Sequence, residues 1–101
     1  MALLRCVLFP GQFSSEFAVV VKVASGREFS LFSNHDDVVF QEPPTNHQSV
    51  EGWIRVDIVE IENERCLVRL PQTTLENGQF VTVLKSQLRE KPAVETRMRS
   101  A

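Results

Sequence analysis

The chain has no tyrosine, a single tryptophan, two cysteines and four glycines. Without tyrosine there is no tyrosine acid–base chemistry. Four scattered glycines cannot supply the phosphate-cradling loops G-x-x-x-x-G-K-S/T or G-x-G-x-x-G. A G-x-S-x-G nucleophile elbow is also missing, and Ser25-Gly26 leads from a strand-like segment into a hairpin rather than a helix. No apolar run reaches the ~18–20 residues of a membrane-spanning helix, which argues against a membrane protein. The opening Met1-Ala-Leu-Leu-Arg-Cys6 is too short and too strand-like for a signal peptide. These absences lead us to expect a cytoplasmic, non-enzymatic protein that needs no cofactor.

At 101 residues and 11.5 kDa the chain has room for one small domain. Its 43% hydrophobic content is that of a folding sequence and excludes an intrinsically disordered one. The net charge of −2 divides unevenly. Residues 1–88 carry seven basic and eleven acidic side chains, and residues 89–101 carry four basic and two acidic. An acidic body disfavours nucleic acid, whose binders gain affinity by displacing counterions from phosphates with basic side chains. The expected organisation is a single β domain over 1–88 and a polar, flexible tail over 89–101.

Period-two alternation and turn residues dominate the pattern. Leu3 to Phe9 is an apolar run ended by Pro10-Gly11. In the next run Phe17, Val19, Val21 and Val23 share one face, and Ser25-Gly26 turns the chain into Glu28 to Ser33. Pro43-Pro44 lies in the longest loop, Gln41 to Ser49, whose expected course is extended. Ile54, Val56 and Ile58 alternate with Arg55 and Asp57, Pro71 ends or bulges the strand that follows, and Asn77-Gly78 is the strongest hairpin turn. Lys85 to Leu88 fits one helical turn. The reading is all-β, with five to seven mostly antiparallel strands and little or no helix. In pattern it resembles a small, partly open barrel of the SH3-like kind.

Cys6 and Cys66 sit in apolar runs with no metal-type spacing, so both are expected to be free, buried thiols. Ser33-Asn34-His35-Asp36-Asp37 joins a histidine to two carboxylates but lacks the spacing of a metal loop, and Asn and Asp equally suit a plain turn. Phe17, Phe29 and Phe80 read as core. Phe32, Phe40 and Trp53 are off-register or at strand ends and, with Arg55, make the candidate binding set. The alternative for Trp53 is a plug over the open barrel end. Glu51 to Glu64 is acidic, as either a solvated face or a dock for a basic partner.

The strand 17–23 is apolar on both faces until Lys22, and a small barrel has only one interior. Ala18 and Val20 on the second face of that strand, with Val38, Val59 and Ile61 on faces that alternation leaves outside, are therefore the candidate self-association residues. The functional expectation is a binding or assembly module acting through protein contacts, most simply a symmetric homodimer. The alternatives are a nucleic-acid-associated barrel, or a small-molecule or metal-binding protein using the 33–37 loop.

Overall fold

The computed structural model describes residues 2–90. The alternation seen in the sequence is realised side chain by side chain. Ala2, Leu4, Cys6 and Leu8 of β1 (Ala2–Pro10) point inward, as do Phe17, Val19 and Val21 of β2 (Glu16–Lys22) and Phe29 and Leu31 of β3 (Glu28–Asn34). After β4 (Val38–Val39), the inward set continues with Ile54 and Val56 of β5 (Val50–Glu62), Cys66, Val68 and Leu70 of β6 (Arg65–Thr74), and Val81 and Val83 of β7 (Gly78–Leu84). A three-residue strand, β8 (Leu88–Glu90), ends the described chain. The only helical pieces among the described residues are 3-10 turns at His35–Asp37 and Lys85–Gln87.

Every strand pair is antiparallel, in the order β3-β2-β1-β5-β6-β7, with β4 also on β5 and β8 also on β1. The sheet curls into a small open barrel. Rim hydrogen bonds hold the curl: Leu75 donates its N–H to the Ser30 carbonyl at 2.8 Å, and Ala24 donates to the Thr82 carbonyl at 2.8 Å. The Glu76 carboxylate accepts from the Ser30 N–H at 2.7 Å, which occupies part of the β3 edge.

Several local details differ from the sequence reading. Asn77-Gly78 does not form a two-residue loop. Leu75 to Asn77 make the turn, and Gly78 opens β7 at φ 85°, a conformation that favours glycine. Thr74 fastens this turn, its hydroxyl donating to the Gly78 carbonyl and accepting from the Asn77 N–H. Phe80 is exposed on the outer face, because Val81 and Val83 take the inward positions and Phe80 shares its face with Thr82. Arg89 and Glu90, expected to open the tail, extend β8 and pair with β1. The rest of that tail, 91–101, lies outside the described residues.

Gly52 faces inward opposite Cys6, one residue before Trp53, which pairs with Val39 of β4. A Cβ there would stand 2.8 Å from the Val39 carbonyl oxygen and 2.9 Å from Leu8 Cδ1. Gly52→Ala should therefore destabilise the domain by about 1–3 kcal/mol through overpacking. At about 4–8 °C per kcal/mol for a domain of this size, thermal denaturation will register it clearly. An unchanged Tm would mean that β4 is not seated on Gly52.

Candidate functional site

β1 has β5 along one edge from Ala2 to Leu8, whereas its other edge is shared. β8 pairs with Ala2–Leu4 and β2 with Val7–Pro10, which leaves Arg5 and Cys6 at the split. Arg5 faces outward directly opposite Trp53 of β5, and its guanidinium carbon lies 5.7 Å from the indole centroid. The Arg89 guanidinium, from β8 on the far side of β1, stands 4.1 Å over the same ring. Between them the outward Leu3, in register with both Arg55 and Arg89, is 0% exposed. The Arg89–Trp53 stack thus spans β1 on its outer face, beside a leucine that alternation alone would leave in water.

This cluster forms one wall of a cleft of about 680 Å³, whose other walls come from Val39–Glu42 and Gln48–Gly52. The volume is within the range of small-ligand sites. Arg5 and Arg89 make one end cationic, Glu42 and Glu51 bring carboxylates, and Phe40 adds an aromatic surface. Phe40 is half-buried, its ring edge-on to Phe17 at 5.3 Å. Among the described residues, Arg5 makes no ion pair; the one ion pair there joins Arg69 to Asp57 across β5 and β6.

The four candidate binding residues are therefore divided. Phe40 and Trp53 share the cleft. Arg55 lines a separate hollow of about 250 Å³ with Asp37, Asp57 and Arg69. Phe32 is on the outer face of β3, opposite Ala18. Trp53 does not plug the barrel end but lies on its outer wall. Arg5 and Arg89 were missed, although Arg5 is the one charged residue in the apolar β1 run and alternation alone places it outward.

The self-association candidates divide as well. Ala18 and Val20 are half-buried on the outer face of β2. Val59 and Ile61, 51% and 54% exposed, are on the β5–β6 overhang, where the register shifts between Ile58 and Glu60. Val38 is buried in the core and belongs to neither surface. In the 33–37 segment the His35 ring stacks on Phe17 at 4.3 Å, and no group of three or more His, Cys, Asp or Glu side chains suited to a metal forms among the described residues. No protein family, curated protein or solved structure matches the chain.

Cys6 and Cys66 are free and buried. Cys6 borders a second, largely apolar cavity of about 490 Å³ between β1, β2 and Leu84–Gln87. Burial pushes the Cys6 thiol from 9.0 up to about 12, so it is no nucleophile at neutral pH. Because the unfolded thiol ionises first, this contribution to stability is complete below pH 9.0 and is lost as pH rises toward about 12. Its slope is at most about 1.4 kcal/mol per pH unit. Denaturant midpoints should fall over that range, and Cys6→Ala should remove part of the fall. Equal slopes in the two proteins would assign the loss to other groups.

Proposed function

We propose that this chain is a non-enzymatic binding or assembly module that works through protein contacts and pairs with a second copy of itself. The observation that carries this is a row across three strands. Phe9, Ala18 and Phe32 are register partners on the outer face of β1, β2 and β3, with Phe9 40% and Phe32 44% exposed. Val7 and Val20 form the next outward pair, so the apolar surface is contiguous over two rows.

The charges beside this patch favour a second copy as its occupant. Glu16 and Lys22 lie at opposite ends of β2, on its outward face and equally spaced about Val19. A two-fold axis in the interface, perpendicular to the strand, sets Glu16 of each copy against Lys22 of the other while the apolar rows meet. The strand order, with a 3-10 turn leading into a β8 that returns to β1, supports an SH3-like barrel as the scaffold. The two buried free thiols suit a reducing, cytoplasmic setting.

Light scattering during size-exclusion chromatography should give twice the 11.5 kDa chain mass at tens of micromolar protein. A monomer under those conditions overturns the proposal. Val20→Lys and Phe32→Lys should each shift the protein to monomer with the strand circular dichroism intact. Lys22→Glu should weaken the dimer a few-fold, and adding Glu16→Lys should restore it. Variants that remain fully dimeric would exclude this face as the interface.

A further inference from the structure

We infer that the Trp53 cleft is a binding site for a small organic oxyanion, a carboxylate or a phosphate monoester, held by Arg5 with Arg89 beside it. This does not rest on self-association: the cleft lies at the Arg5 end of β1, against β5 and β8, whereas the apolar rows run from Val7 and Phe9 of β1 across β2 and β3. Three observations carry it. First, two guanidinium groups are held against one indole ring, at 5.7 and 4.1 Å from its centroid. The stack orients the Arg5 guanidinium without using its N–H donors, whose fork matches the two oxygens of a carboxylate or phosphate. Second, the Arg5 charge is not matched by any ion pair among the described residues, so an anion in the cleft supplies its counter-charge.

Third, the cleft is concave and chemically divided. Its about 680 Å³ accepts a molecule of modest size, with the oxyanion at the arginine end and the remainder against Phe40 and the Gln41 and Gln48 amides. The Glu42 and Glu51 carboxylates in the wall tolerate one anionic group near the arginines but repel a chain of phosphodiesters. A polynucleotide would also meet the net negative body, which opposes the counterion release that such binding draws on. A single oxyanion on a small molecule therefore fits better than a nucleic-acid strand.

Trp53 is the only tryptophan and the chain has no tyrosine, so selectively excited intrinsic fluorescence reports on this cleft alone. Inorganic phosphate, benzoate and a nucleoside monophosphate are titrated separately, with sodium chloride at matched ionic strength as control. The expected result is a saturable change with at least one of the three and none with chloride; which probe saturates tells phosphate from carboxylate. Arg5→Gln should weaken that binding about tenfold or more, Arg5→Lys should weaken it less, and Arg27→Gln, at the remote Arg27–Phe29 stack, should leave it unchanged. Circular dichroism verifies that each variant is folded, and backbone amide shifts should move around β1, β5, β8 and residues 40–49. No saturable response to any probe overturns the inference, as does equal binding by folded Arg5→Gln and Arg5→Lys. A single-stranded oligonucleotide that binds far more tightly than the monophosphate, with a steep salt dependence, would replace it with the nucleic-acid reading.

Discussion

β1 is the strand on which the rest of the molecule is registered. One edge is committed to β5 over seven consecutive residue pairs, and the other must serve two strands from distant parts of the chain. A backbone edge can bond only one neighbour at a given residue, so the second edge is divided, with β8 at one end and β2 at the other. The division falls at Arg5 and Cys6, and both cavities border it. Outward, it leaves Arg5 beside Trp53. Between the diverging strands, it leaves the apolar cavity that Cys6 borders.

The same division explains how a flat antiparallel ladder becomes a barrel. β2 leaves β1 beyond Val7 and carries β3 toward the β6–β7 hairpin, where rim bonds at Ser30 and Ala24 complete the curl. Gln87 ties the third side of the gap, donating from its side-chain amide to the Lys22 carbonyl while its oxygen accepts from the Leu84 N–H. One glutamine thus joins the end of β2 to the turn before β8. These few polar contacts act where ladder hydrogen bonds are missing, since backbone groups at a sheet edge need partners or water.

The architecture was legible because it rests on local alternation. Each inward position of 17–23 and of 54–56 is buried, and the turn signals mark real strand ends. Phe80 was misjudged on its hydrophobicity, although Thr82 two residues on shares its outward face and only Val81 and Val83 can share the inward one. The cleft was half legible. Phe40 and Trp53 stand out as aromatic residues at irregular positions, but Arg5 and Arg89 reach the same indole only through long-range register. No local pattern encodes which residue of the last strand will lie beside Leu3.

A domain with a single apolar layer has limited means of hiding outward hydrophobic side chains, and here two solutions stand side by side. On the β8 side of β1, the outward Leu3 is 0% exposed and has the long side chains of Arg55 and Arg89 as its register partners. On the β2 side, Phe9, Val20 and Phe32 have small or like register partners, Ala18, Ser30 and Val7. The first arrangement gives a polar, cation-bearing cleft, and the second leaves Phe9 and Phe32 40% and 44% exposed. How far each wall exposes its outward hydrophobic residues thus follows the length of the side chains placed beside them.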